Sequence, residues 1–548
     1  AIDLLIECLR SVDLSINKVK SKVLLSNPSL SESLSTVGIP YCRDGLEILG
    51  VPIGAPQYIS TWLENYFNPI QSLFGLTRHL RHDCQYLCLR FSLAAKSNFL
   101  MRCLPPSTLQ AHLSIIDQLI DNSLSNMVGP HNPHHSYGRV QQLVRYLPVK
   151  SDCGLGIRSQ VATSPAAWIS SLLHTFHFFF DSECYFSKSL LQGLLNNASY
   201  NTEMYQWINH FQSIFPVTAV NVSDVTNSDR FSQFINELFS DPTTIPTQKV
   251  LSTHIDNLHR TELDTLIQSN RFAQAWRLSA VTKPPHWMYS GFSNRKATSL
   301  ADDAFSFMLS KWLLLPSYSQ RGNLSGSCKC GDGSIGTLTE NPEHFGSCTL
   351  LNGSIIQRHD AVRDEFMIFL KAIIKKDVAA IKKEEFLWND NRDTLKADIA
   401  IIFNEGVDHQ NIYFDVRGCN TCAKSYVNDQ RGYVVSRAAS KFGDDTKIRK
   451  YRILGDNFVE TKFAPIGFES TGVNSASTDI LLDTNLSRLL NSRFIDLRKV
   501  PMARRWYEKR LSFIVTNYNY SLFKVNLLLS KSLIISINLD IVLLFISL

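Results

Sequence analysis

Cysteine is scarce in this 548-residue chain. Its twelve cysteines are far too few for a disulfide scaffold and suit a reducing compartment. Charge of one sign is also missing in excess: 55 basic against 49 acidic residues leave +6, which permits a nucleic-acid partner without demanding one. Long apolar runs are confined to the tail from Val525 to Leu548, and Lys531 and Asp540 interrupt it. A spanning helix needs about 20 mostly apolar residues, and a charge near its centre is costly. The tail is therefore read as a terminal extension, with no membrane partner expected. No secretory leader follows Ala1, and the absent Met predicts a processed chain or the downstream piece of a longer one. What is present is core-forming material: 44% hydrophobic and 19% charged residues exclude wholesale disorder. At roughly 150 residues per domain the length allows about three or four domains.

Helical periodicity opens the chain, and Asn17, Lys20 and Ser21 precede a short strand-like run. A second run, Leu46 to Gly54, is bounded by Gly45 and Gly54, so the two short strands predict a hairpin. From Tyr58 to about Leu124 the pattern is helical, interrupted at Pro105-Pro106. Arg78, His79, Arg81, His82, Arg90, Lys96 and Arg102 punctuate it, as a solvated helix face or a nucleic-acid groove would. Asn17…Lys20-Ser21 followed by Leu49-Gly50-Val51-Pro52-Ile53-Gly54 resembles the last two palm motifs of non-LTR retrotransposon reverse transcriptases. Leu104-Pro105-Pro106 with its helices resembles the polymerase thumb, and Leu147-Pro148-Val149 with Cys153 to Ser159 resembles a segment that follows it. Cys153 stands where that family usually has glycine. The family's metal-binding carboxylates belong upstream of Asn17, and the contexts of Asp3 and Asp13 do not match them. No polymerase activity is expected from this fragment alone.

Between about Ser170 and Leu300 no catalytic constellation is visible; the stretches Arg271–Arg277 and Phe305–Leu309 read as amphipathic helices with buried aromatics, and Trp287 as a loop anchor. Next comes Cys328, Cys330, His344 and Cys348, spaced C-x-C-x13-H-x3-C. Zinc takes four tetrahedral ligands from thiolates and imidazole, and two close pairs across a loop can supply them. Cys419 and Cys422 lack a partner pair nearby and are read as ordinary buried cysteines.

Arg358-His359-Asp360 opens a helix whose apolar stripe is Val362, Phe366, Phe369, Leu370 and Ile373. Two strands follow, Leu395–Phe403 and Asn411–Arg417, joined by a turn at Asn404–Gln410. A hairpin centred near Val407 sets Asp398 opposite Val416, with Asp398 and Asp415 side by side. The aspartates suit two roles: strand-edge charges, or a magnesium site in which hard oxygens hold an ion that activates water. Lys447 or Lys450 would then stabilise developing charge, and Arg417 sits where the simplest D-x-K arrangement places its lysine. Between Arg488 and Arg510, eight basic residues including Arg498, Lys499, Arg504 and Arg505 face only Asp496 and Glu508, with Trp506 and Tyr507 among them. Such a segment contacts nucleic acid or forms a solvated helix face.

The order of the zinc-like cluster, Arg358-His359-Asp360, Asp398, Asp415 and the Lys447–Tyr451 element resembles the C-terminal zinc motif and restriction-like endonuclease of non-LTR retrotransposons. Phe463 to Gly472 resembles the segment closing that nuclease; Ala397 replaces its usual proline, and Asp360 stands where asparagine is common. The resemblance implies a multidomain, mainly α chain with an α/β, PD-(D/E)XK-like C-terminal domain. The implied divisions are a palm remnant at 1–57, a helical thumb at 58–165 and a helical linker at 166–320. A zinc motif at 321–352, the endonuclease at 353–475 and a basic segment with apolar tail at 476–548 complete the chain. It also implies structural zinc, catalytic magnesium on Asp398 and Asp415, target DNA and element RNA as partners, DNA or RNA contact by Arg358 and His359, and a nuclear location. In that family the domain nicks target DNA and the freed 3′ end primes reverse transcription. The alternative is a catalytically inactive remnant that binds nucleic acid.

Overall fold

Leu49 and Gly50 both adopt positive φ, 50° and 81°, the backbone of a two-residue hairpin turn. They close the antiparallel pair Gly45–Ile48 and Val51–Gly54, with Leu46 opposite Ile53. The hairpin thus lies wholly within the second of the two expected strand segments. The first, Val23–Leu24, instead pairs parallel with Tyr41–Cys42. The reason is the turn: Leu49-Gly50 provides a tight reversal, so the run pairs with itself.

The computed structural model describes residues 22–24, 40–128, 137–181, 198–215, 242–281, 286–292, 299–315, 344–375, 379–389, 394–423, 425–429 and 432–531. Asn17, Lys20, Cys328, Cys330 and the tail beyond Lys531 lie outside them. The described chain is mainly helical, with a small mixed sheet in its C-terminal part. It divides into two compact units, one of residues 1–78, 91–120 and 159–255, the other of residues 79–90, 121–158 and 256–548.

The first unit packs around Trp168, Leu173, Phe176, Met204, Phe211 and Leu251. Asp117 caps its helix Gln160–Asp181, accepting from the Gln160 N–H at 3.0 Å and the Ser159 hydroxyl at 2.8 Å. The second unit holds the segment from Leu147 to Gly156. Gly154 and Gly156 donate their N–H groups to the carbonyls of Pro148 and Leu147 at 3.0 and 2.9 Å. A Cβ on Gly154 would lie 1.8 Å from the Leu147 oxygen, so only glycine fits. Trp287 is fully buried against Phe305 and Trp312, matching its expected anchoring role.

Within the second unit, helix α1 (Asn352–Ile373) begins six residues before the expected Arg358 start. It presents Val362, Phe366, Phe369, Leu370 and Ile373 to the core as a buried stripe. Strands β1 (Ala379–Asn389), β2 (Thr394–Phe403) and β3 (Ile412–Cys419) follow as an antiparallel meander. Helix α2 (Ala438–Tyr451) then leads to β4 (Phe463–Glu469), which pairs parallel with β3. The long helix α3 (Val500–Lys531) lies against α1, and Tyr507, Leu511 and Val515 seal the core. Strand β1 had no counterpart in the sequence reading. It is an edge strand whose Lys382, Lys383 and Glu384 are exposed, charges that discourage further strand pairing.

At the far end of β4, Glu469 is fully buried. It accepts from the Ser440 N–H at 3.0 Å and hydroxyl at 2.8 Å, and from the Ser279 hydroxyl. One carboxylate therefore ties β4 to the start of α2 and to the helix Arg271–Ala280. Glu469→Ala strands these donors in the interior and is expected to cost on the order of 3 kcal/mol in urea unfolding. An unfolding midpoint equal to wild type would refute this role.

Candidate functional site

Pairing between β2 and β3 ends at Ile399 opposite Phe414. Beyond it β2 continues along β1 while β3 continues along β4, so the two central strands part. Asp398 and Asp415 stand at this fork, one on each strand. The register differs by one residue from the expected hairpin: Ile401 faces Ile412, and extending that register brings Asp398 toward Asp415. The divergence leaves backbone groups without ladder partners, and the site residues satisfy them. The Val416 N–H donates to Asp398 Oδ2 at 2.7 Å, while the Val416 carbonyl lies 3.1 Å from His359 Nε2.

Helix α1 supplies His359, whose Nε2 is also 3.1 Å from Asp398 Oδ2 and whose Nδ1 is 3.2 Å from Asp360 Oδ1. Helix α2 supplies Lys447, with Nζ 2.5 Å from Asp415 Oδ1. The other Asp415 oxygen, Oδ2, is buried and has no hydrogen-bond partner. Tyr451, one helical turn beyond Lys447, donates to the Lys396 carbonyl at 2.7 Å and pins α2 to β2. Lys450 points elsewhere, exposed and over the Tyr451 ring at 5.4 Å. Arg417 lies beside α2 at Gly443, with a guanidinium nitrogen 3.5 Å from the Tyr426 hydroxyl.

The charges follow from these contacts. Burial pushes the Asp415 carboxyl up to about 6, helped by its neighbour Asp398 and opposed by Lys447. Burial also works against the Asp398 anion, but the hydrogen bonds from His359 and the Val416 N–H outweigh it and hold that carboxyl well below the usual range. For His359, burial lowers the imidazole, yet Asp398 and Asp360 together raise it above its ordinary value. Below about pH 6 the pair therefore carries one proton, on Asp415, with the negative charge on Asp398.

A sign follows for pH. Asp415 binds its proton more tightly folded than unfolded, so its contribution to stability is fullest below the ordinary carboxylate range and is lost as pH rises through about 6. Binding a divalent cation requires the proton to leave. Magnesium affinity measured by calorimetry is therefore expected to climb through about pH 6 and level off above it. An affinity flat across that interval would contradict the shared proton.

The donor set fits a hard cation. Asp415 Oδ2 is an orphaned buried acceptor beside a second carboxylate, and magnesium is typically bound by one or two carboxylates with several waters retained. Among the described residues, no group of three or more His, Cys, Asp or Glu side chains could hold a metal ion. For the expected zinc cluster, Cys328 and Cys330 lie outside the described residues, as does the His344 side chain; Cys348 is buried. Cys419 and Cys422 are buried as expected, and burial pushes each thiol up to about 12.

Several expected nucleic-acid contacts change role. Arg358 is 2% exposed, and its guanidinium donates to Asn519 Oδ1 at 2.7 Å, bracing α1 against α3. Arg358 lies on the face of α1 that packs against α3, so its guanidinium is turned away from solvent. His359 belongs to the carboxylate site. Tyr507 is fully buried in the core and offers no face for a base. Arg504 pairs with Glu508 at 2.9 Å and with Asp483, while Arg498 and Lys499 lie near Asp496 at 3.4 and 3.5 Å. Arg498 is nonetheless 94% exposed in its side chain, and Arg505 is exposed. In the region of the expected thumb, Arg81 pairs with Asp83 at 2.6 Å and Arg90 donates to the Tyr289 hydroxyl at 3.0 Å.

An open cleft of about 1,020 Å³ is lined in part by His409, Asn457, Glu460, Ala464 and Arg488, and neither carboxylate lines it. Among the described residues no helix is long and apolar enough to cross a membrane. No protein-family model matches the chain, and no curated protein matches its sequence.

Proposed function

We propose that the sheet and its two flanking helices form a magnesium-dependent, PD-(D/E)XK-like DNA-nicking domain within a retroelement reverse transcriptase polyprotein. The observation that carries this reading is the fork: Asp398 and Asp415 meet where β2 and β3 part, with Lys447 on Asp415 Oδ1 and Asp415 Oδ2 unpartnered. The order helix, three antiparallel strands, helix, parallel strand supports it, because it brings both carboxylates and the lysine to one end of the sheet.

Asp398 and Asp415 would hold the ion, which when bound polarises the phosphate and activates a water. Asp398 is kept in place by the Val416 N–H and His359, so its carboxylate needs little reorganisation. Lys447 meets the negative charge that grows on the phosphate, from a position fixed by Tyr451 one turn away. Water oxygen bonds to phosphorus, the bond to the 3′ oxygen breaks, and the leaving oxygen takes a proton. The nick carries a 5′ phosphate and a 3′ hydroxyl, the end that primes reverse transcription in the family this sequence resembles. Arg498 and Arg505 are the exposed cations suited to the DNA backbone.

Supercoiled plasmid incubated with the full chain is expected to become open circular with magnesium and to remain supercoiled with EDTA. The new ends should be extendable by a DNA polymerase without phosphatase treatment. Plasmid left intact at all magnesium concentrations would favour the inactive, nucleic-acid-binding reading.

A further inference from the structure

Phe386 interrupts the charged edge strand β1 with a side chain that is 60% exposed. It lies opposite Lys396 of β2, whose Nζ stands over the ring, 5.2 Å from its centroid. Two irregularities bracket it. Glu384, two residues before, holds a φ of 56°, a left-handed backbone that a non-glycine residue adopts only at a cost. Directly after Phe386 the register between β1 and β2 slips by one residue, a β-bulge. Bulges recur beside active sites, where they re-aim a side chain.

The fork is close by. Lys383 faces Ile399 and Glu385 faces Ala397, so Glu384 falls opposite Asp398. Phe386 is two residues farther along the strand, roughly 7 Å at the rise of a β-strand. Successive nucleotides of a DNA strand advance by about 3.4 Å, which puts the ring about two nucleotides from a phosphate held at Asp398.

The chemistry around the ring selects a base over a phosphate. Lys396 pairs with Glu384 at 2.5 Å, Lys382 with Glu385 at 4.0 Å and Lys383 with Asp364 at 2.7 Å. Each of these ammonium groups is matched by a carboxylate, so a phosphate gains little here. An exposed aromatic ring instead offers a surface on which a base stacks. A base inside a duplex is covered on both faces by its neighbours, whereas an unpaired one can leave the stack and reach the ring.

We propose that Phe386 is a stacking platform for an unpaired base about two nucleotides from the scissile phosphate, which makes locally melted or single-stranded DNA the preferred substrate. The proposal rests on the nuclease reading above and adds the structure of the substrate to it.

Two readouts on the full chain test it. Single-stranded DNA carrying 5-iodouracil, irradiated with the protein in EDTA, should crosslink to the peptide that contains Phe386, located by mass spectrometry. In magnesium, negatively supercoiled plasmid should be nicked at least about tenfold faster than the same plasmid relaxed and closed. Phe386→Ala should cut that ratio at least about fivefold, Phe386→Trp should keep it, and Phe386→Leu, apolar without a ring, should not. Because the readout is a ratio, a variant that is partly unfolded still reports on it. Crosslinks that miss the Phe386 peptide, or equal nicking of supercoiled and relaxed plasmid, would overturn the proposal and leave the nuclease reading standing. Absence of nicking on both plasmids would sink the nuclease reading, and the crosslink alone would then decide whether the ring binds a base.

Discussion

Asp398→Asn and Asp415→Asn are each expected to slow magnesium-dependent nicking by on the order of 10³-fold while leaving the fold intact. The loss follows from replacing a charged oxygen ligand by a neutral amide at an ion with few protein ligands. The stability expectation runs the other way. Asp415 is 3% exposed in its side chain and pressed against a second carboxylate, an arrangement that costs free energy in the absence of metal. An amide at position 415 removes the like-charge contact and can donate to Asp398, though Lys447 loses its partner. Metal-free Asp415→Asn should therefore unfold within about 1 kcal/mol of wild type, or later. Thermal scans in EDTA beside nicking rates check both halves. A variant that loses activity because it unfolds would refute the separation.

Lys447→Met is expected to reduce nicking by about 10²- to 10³-fold, and Lys450→Met by less than about twofold. Both lysines lie on α2 within one turn, yet only Lys447 reaches the fork, at 2.5 Å from Asp415. Lys450 is exposed on the other side of Tyr451. Removing Lys447 also takes away the cation that opposes the upward push of burial on Asp415, so the residual activity should require higher pH. The pH–rate profiles of the two variants measure this directly. Equal losses in both, or an unshifted profile in Lys447→Met, would argue that the lysine acts only through general surface charge.

How much of this was legible in the sequence varied with the physics of each element. The α1 stripe was readable because five apolar residues at helical spacing have one consistent face, and all five are buried. The β2–β3 turn was readable because Asn404 to Gln410 separates two apolar runs. Its register was misplaced by one residue, since turn composition fixes a reversal only to within a position or so. The N-terminal hairpin was assigned to the wrong partner because Leu49, a poor residue for positive φ, concealed the turn. The resemblance implied a DNA or RNA contact by Arg358, and a motif does not reveal burial; its partner Asn519 lies 161 residues away. Glu469 lay inside the Phe463–Gly472 resemblance without a role of its own, and Asp360 was visible only as part of the Arg358-His359-Asp360 motif. Their roles arise from hydroxyls and an arginine brought in by tertiary packing. The choice between Lys447 and Lys450 likewise needed the helix to be placed in space.

The central claim is that the fork between β2 and β3 is a metal-dependent nuclease site. Its most direct test is the nicking rate of the full chain against the Asp398→Asn/Asp415→Asn double variant, prepared together and titrated with magnesium. The fork predicts conversion to open circles that saturates with magnesium in wild type and falls to background in the double variant, with matched thermal unfolding. Equal nicking by the two proteins would place the activity elsewhere and contradict the account.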